Sequence, residues 1–186
     1  MRRESTASWR SLRMEIEAKF VVGGEEDLRR ALELLRREGF SLRYEGEERY
    51  TDRYYDPGDG GALRFRIYPG GRIVRTYKRD ISSEGGVVRR RECEREVSRE
   101  EMASETRCVA PLLELMVMRR TYGGENLKLT YDVVWYDDST QMTFLEVEGD
   151  GEVVERAASI LRGGGFRVES RSKLAIGLAM RGGTSV

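Results

Sequence analysis

The sequence predicts an α+β domain: a closed antiparallel eight-stranded β-barrel, a tunnel with a charged lumen, with helices packed outside it. Three observations carry this prediction. Glu15-Ile16-Glu17-Ala18-Lys19 alternates strictly, so a strand sends two carboxylates and an ammonium to one face while Ile16, Ala18 and Phe20 go to the other. The acidic alternation recurs at Glu92, Glu94 and Glu96 and again at Glu146 and Glu148, with apolar or small residues between. Cationic alternations lie among these: Arg64 and Arg66 around Phe65, then Thr76 and Lys78 around Tyr77. Sheet faces carrying rows of both signs, opposite an apolar face, suggest a charged interior suited to a polyanion and its metal ions.

The elements follow in order. Residues 1–13 are rich in Arg and Ser without periodicity and read as a disordered extension, unless translation starts at Met14; the domain spans 14–181, with 182–186 as a flexible tail. After the first strand, residues 25–38 read as an amphipathic helix, with Leu28, Ala31, Leu32 and Leu35 on one stripe and Gly39 stopping it. Strands are expected over about 47–55, 62–68, 72–79 and 87–97, separated by turns at Asp56-Pro57-Gly58, Pro69-Gly70-Gly71 and Gly85-Gly86. Ser98 with Glu101 is a capping-box signature for a short helix, and Pro111 starts another segment. A meander over about 115–122, 127–136 and 142–148 is joined by Gly123-Gly124 and Asp137-Asp138-Ser139. A helix at 151–162, a short strand near 166–169 and a helix at 171–181 complete the domain, with eight or nine strands in all.

Composition narrows the chemistry. A chain of 186 residues suits one domain, and 35% charged residues is a large share to place. Lys plus Arg and Asp plus Glu each total 33, so no net field draws the chain to nucleic acid or an anionic membrane, and phosphate binding must come from local clustering. Neither a membrane-length apolar run nor a secretory leader is evident, so the expected compartment is the cytoplasm. Cys93 and Cys108 fit neither a zinc spacing nor a disulfide framework. Histidine is absent, which removes the usual general base and the commonest zinc ligand. Carboxylates, cations and a hard metal, Mg²⁺ or Mn²⁺, remain.

The ordered set E-x-E-x-K, Tyr54-Tyr55-Asp56, Leu63-Arg64-Phe65-Arg66, Thr76-Tyr77-Lys78, Arg90-Arg91-Glu92-Cys93-Glu94, Asp132, Glu146-Val147-Glu148 and Ser172-Lys173 resembles the CYTH domain of the triphosphate tunnel metalloenzymes over about residues 14–180. That family includes class IV adenylyl cyclases, thiamine triphosphatases and inorganic triphosphatases. The resemblance implies a small triphosphate-containing substrate and divalent metal; the balanced charge is what argues against a nucleic-acid or membrane partner, and the oligomeric state is open, a homodimer included.

Each candidate has a bland alternative. From their motif alone, Glu15 and Glu17 read equally as a solvent-facing pair; recurrence on other strands turns them toward metal and catalytic work. Glu146 and Glu148 are the strongest metal candidates, with Asp132 on the adjacent strand as a ligand or as orienter of a metal-held water. Glu92 and Glu94 are catalytic candidates, although Arg90 on the same face would also form a structural ladder with them; Glu96 belongs at the rim. Lys19, Arg64, Arg66, Lys78 and Arg90 are the phosphate contacts, since Arg forks match phosphate oxygens in pairs. Only one of Arg119 and Arg120 can point inward; parity does not choose, and the resemblance favours Arg120. Lys173 enters through the resemblance alone. A metal-free cluster of buried carboxylates should repel itself, so Glu146→Gln or Glu148→Gln is expected to raise the melting temperature of the apo-protein. The reading that follows is metal-dependent triphosphate hydrolysis, with cyclisation of ATP to cyclic AMP and pyrophosphate as the alternative.

Overall fold

In a computed structural model, residues 13–182 are described; the expectations for the N-terminal extension and C-terminal tail fall mainly on 1–12 and 183–186, outside the described residues. The elements are β1 (Arg13–Val22), α1 (Glu25–Arg37), β2 (Arg43–Tyr55), β3 (Ala62–Ile67), β4 (Ile73–Glu84), β5 (Val87–Val97), α2 (Arg99–Glu105), β6 (Leu113–Gly123), β7 (Leu127–Trp135), β8 (Gln141–Gly149), α3 (Gly151–Gly163), β9 (Arg167–Val168) and α4 (Lys173–Gly182). Boundaries agree with the sequence reading to within a few residues, apart from longer N- and C-terminal reaches of β2 and β4.

The strands run β5-β4-β3-β2-β6-β7-β8-β1, and antiparallel pairing of β1 with β5 closes the ring. Closure leaves β1 with β8 on one edge and β5 on the other, the register setting Glu17 opposite Glu148 and Glu15 opposite Arg90. Where β5 stops, β9 takes over that edge of β1, with Phe20 opposite Val168.

The alternation places Ala18, Phe20, Leu129, Tyr131, Leu145 and Val147 on the outer wall, where they are buried under α1 and α3 by Leu28, Ala31, Leu35, Ala157 and Leu161. Fully buried side chains such as Phe20, Leu35 and Leu161 each contribute roughly 1.5–3 kcal/mol. On the opposite wall, Leu63, Phe65, Ile73 and Val97 are covered by Met102 of α2. That helix starts at the expected capping box: Glu101 N donates to Ser98 Oγ at 3.1 Å and Ser98 N to Glu101 Oε2 at 2.8 Å.

The lumen itself is divided, which the charge pattern did not announce. Its inward face carries charge over one part, whereas Tyr50, Leu113, Leu115, Val117, Val134 and Phe144 fill the other and pack against Leu174 and Ile176 of α4. Helix α4 thus lies across one end of the barrel and delivers Lys173 to the boundary between the two parts. The fit requires a glycine: a Cβ on Gly177 would stand 2.4 Å from Leu113 Cδ2 and 3.0 Å from Tyr136 Cδ1. Leu113 is 1% exposed and has nowhere to retreat. Gly177→Val should therefore cost about 1–3 kcal/mol in urea unfolding, and an unchanged midpoint would contradict this packing.

Candidate active site

The charged part of the lumen encloses a cavity of about 970 Å³. Its described lining holds twelve lysines and arginines and nine carboxylates, so a chain with no net charge concentrates positive charge here. Tyr54 is the one aromatic residue in that lining.

Three ionic clusters organise it. Near the mouth, Lys78 Nζ lies 2.9 and 2.7 Å from the two oxygens of Glu15 and 3.0 Å from Glu92 Oε2. Beside it, Arg90 Nη2 pairs with Glu17 Oε1 at 3.0 Å and Arg90 Nε with Asp80 Oδ1 at 3.2 Å. On another wall, Arg66 donates from Nε and Nη2 to both oxygens of Asp52 at 2.9 and 3.0 Å, while Arg64 Nη2 donates to Thr76 Oγ1 at 3.0 Å. At the boundary with the apolar part, Asp132 accepts from Arg119 Nε at 2.7 Å and Lys173 Nζ at 2.6 Å; Glu146 accepts from Arg119 Nη2 at 3.0 Å and Lys173 Nζ at 2.8 Å.

The cavity brings together Glu15, Glu17, Lys19, Arg64, Arg66, Lys78, Arg90, Glu92, Glu94, Glu146, Glu148 and Lys173. Glu96 stands in the same lining and is exposed, at the rim. Arg120 is a correction. It lies on the barrel exterior, bound to Glu47 at 3.0 Å and Glu25 of α1 at 2.9 Å, and Arg119 is the member of the pair that points inward. The physical reason is register: Arg119 shares its parity with Leu115 and Val117, which face the lumen. Asp132 also departs from expectation. It faces inward but, unlike Glu146, it is 0% exposed and outside the cavity lining, so it anchors Arg119 and Lys173 from behind the cavity. The Arg90–Glu92–Glu94 ladder does not form; Arg90 goes to Glu17 and Asp80, Glu92 to Lys78, and Glu94 to Thr76. Sequence reasoning passed over Asp52 and Lys128, the latter paired with Glu148 at 2.7 Å, and left Arg119 as the less favoured of two adjacent arginines.

Protonation separates the carboxylates into two kinds. Burial pushes the Glu15 carboxyl up, with Lys78 opposing and Glu92 reinforcing through a shared hydrogen bond. Burial, then the neighbouring charge of Glu146, likewise pushes Glu17 up against the pull of Arg90. Burial would raise Glu146 too, yet Lys173 and Arg119 outweigh it and hold it well below the usual range. Asp52 is drawn down to about 2, the Arg66 and Arg64 charges overcoming burial. A raised carboxyl contributes stability below its unfolded value that is lost as pH rises through its folded value; a lowered one contributes above its unfolded value and loses it as pH falls.

The expectation that removing a lumen carboxylate raises stability therefore applies to Glu17 and not to Glu146. At pH 8 and without metal, Glu17→Gln should raise the melting temperature by about 2–4 °C, the shift for a gain of about 1 kcal/mol in a chain of this size. Glu146→Gln should lower it, because it strands Arg119 and Lys173. Thermal unfolding of both variants by circular dichroism decides the matter, and shifts of the same sign would refute the division.

Among the described residues no three carboxylates converge on one point. The donor chemistry still fits a hard divalent ion: Glu15 contacts Glu92, Glu17 faces Glu146 and stands opposite Glu148, and burial together with repulsion from Glu92 and Glu146 pushes Glu15 and Glu17 up, a strain that a cation relieves.

A family model for the CYTH domain matches residues 13–175. Among solved structures, a Pyrococcus horikoshii protein is 24% identical with a TM-score of 0.66, over 86% of this chain and 97% of that one. HpAC1 from Hippeastrum, a candidate adenylyl cyclase described as having a dominant triphosphatase activity, is 21% identical with a TM-score of 0.61, over 92% and 97% of the two chains. The Pct1 RNA triphosphatase of S. pombe is 14% identical with a TM-score of 0.51, over 83% and 78%. Similarity to these structures is similarity of fold. No curated protein matches the chain.

Proposed function

Because the chain belongs to the CYTH family, whose enzymes act on triphosphates with divalent metal ions, we propose that it hydrolyses inorganic tripolyphosphate or a small organic triphosphate within the barrel. The observation that carries this reading is the concentration of twelve cationic side chains, with a single aromatic residue, among the described residues that line the cavity. Phosphate oxygens would find partners throughout, whereas a nucleobase would find little to stack on.

Lys19, Arg64, Arg66, Lys78, Arg90 and Arg119 bind and neutralise the phosphate chain, and Lys173 reaches its inner end from α4. Arg64 supplies the clearest vacant donor, since its buried Nε has no hydrogen-bond partner among the described residues. Glu15, Glu17, Glu146 and Glu148 are the residues to hold Mg²⁺ or Mn²⁺, which when bound supplies Lewis-acid neutralisation of phosphate oxygens. The fixed cations orient the terminal phosphorus for attack by water and stabilise charge that develops on its oxygens and on the leaving group.

The test offers the purified protein tripolyphosphate, thiamine triphosphate and ATP with Mg²⁺ or Mn²⁺, and measures orthophosphate and cyclic AMP together. Hydrolysis predicts that tripolyphosphate is cleaved at least as efficiently as ATP. Cyclic AMP as the main product from ATP, with tripolyphosphate bound but intact, would establish the cyclase instead.

A further inference from the structure

We propose that Asp52 is a positioning residue that aims Arg64 and Arg66 at the phosphate chain; this rests on reading the lumen as the triphosphate site. Asp52 is 1% exposed and lies behind the cavity, which is lined by both arginines and not by Asp52 itself. Its two oxygens engage one edge of Arg66, through Nε and Nη2, leaving the Nη1 edge for another acceptor. The Arg66 guanidinium also lies 3.7 Å above the Tyr50 ring, so a bidentate pair and a stacking face fix both its direction and its plane.

Arg64 stands between the same carboxylate and Glu94, whose Oε2 lies 3.8 Å from its Nη2. Its Nη1 stands 3.7 Å from Asp52 Oδ2 and its Nη2 donates to Thr76 Oγ1. Its Nε is buried beside the cavity with no hydrogen-bond partner among the described residues, which is a costly arrangement for a charged donor unless an acceptor arrives. Arg64 and Arg66 are two residues apart on one strand face, and each disfavours the other's charge. An anion within reach of both offsets that repulsion and lets both stay inward. Asp52 remains ionised throughout the neutral range, so the clamp holds at working pH.

The reading makes a prediction of sign. If Asp52 were only a nearby negative charge, removing it would tighten anion binding. If it positions the arginines, removing it weakens binding, because the two cations lose the geometry that matches adjacent phosphate oxygens. Calorimetric titration of tripolyphosphate into metal-free protein distinguishes the two. Asp52→Asn, which keeps the shape and removes the charge, should raise Kd by about 10–100-fold, the usual cost of losing a supporting partner. The Arg66 Nε–H resonance should lose its protection from exchange in the same variant. Should Asp52→Asn fail to fold, Tyr50→Leu, which removes the stacking face, should weaken tripolyphosphate binding in the same direction, whereas Tyr50→Phe should leave it unchanged. A lower melting temperature with unaltered Kd would reduce Asp52 to a structural charge, and a tighter Kd would make it a simple electrostatic opponent; either overturns the proposal. Failure of the unmodified protein to bind tripolyphosphate would instead bring down the triphosphate reading, and the role of Asp52 with it.

Discussion

Asp132→Asn should destabilise the fold by about 3–5 kcal/mol, the cost of removing one partner from a buried charge network. Asp132 is fully buried and accepts from Arg119 and Lys173, which among the described residues otherwise share only Glu146. With the charge removed and the shape kept, two buried cations are left with one carboxylate. Arg119 and Lys173 tie β6, β7, β8 and α4 together at the base of the cavity, so the loss loosens the end of the barrel as well as the pair. The pH dependence follows. Burial would raise Asp132, but Arg119 and Lys173 hold it below its ordinary value, so its contribution is present above the unfolded carboxyl range and disappears as pH falls through the folded value. Urea unfolding at pH 7 and again in acid should show the variant's deficit shrinking toward low pH. A deficit under about 1 kcal/mol at neutral pH would mean the network is strongly hydrated or rearranges freely.

Arg64→Ala should reduce turnover of tripolyphosphate by about 100–1000-fold, the usual penalty for deleting a preorganised donor at developing charge. Arg64→Lys should recover only part of it, because an ammonium cannot reproduce a guanidinium fork. Arg120→Ala should stay within about twofold of the unmodified protein, since that side chain binds Glu25 and Glu47 outside the barrel. Steady-state phosphate release from the three variants tests the assignment directly. If Arg120→Ala proved the more damaging substitution, the inward role given to Arg64 and Arg119 would be wrong.

Strand parity alone makes much of this arrangement legible in the sequence. Glu15, Glu17 and Lys19 share a face because Ile16, Ala18 and Phe20 have to be buried under helices, and the same logic fixes Arg64 with Arg66 and Glu146 with Glu148. Parity failed where both faces of a strand are apolar. On β6 the inward Leu115 and Val117 alternate with the outward Met116 and Met118, so nothing local says which arginine continues the inner row. Asp52 was hidden in the same way, flanked by Thr51 and Arg53 on a strand that carries tyrosines on both faces. The pairing of charges was less legible still. Which lysine takes which carboxylate depends on the shear of the closed ring, and that arises from register across several strands.

Helix α4 lying across the barrel has a kinetic consequence. It turns a passage into a cul-de-sac, so whatever enters last must leave first. If the terminal phosphate of tripolyphosphate is the one seated deepest, beside Lys173, then after cleavage the orthophosphate waits behind pyrophosphate. Within a single turnover, free pyrophosphate should therefore be detected no later than free orthophosphate, and excess pyrophosphate should slow the escape of orthophosphate already formed. An orthophosphate burst that outruns pyrophosphate would reveal a back door past Leu174 and Ile176.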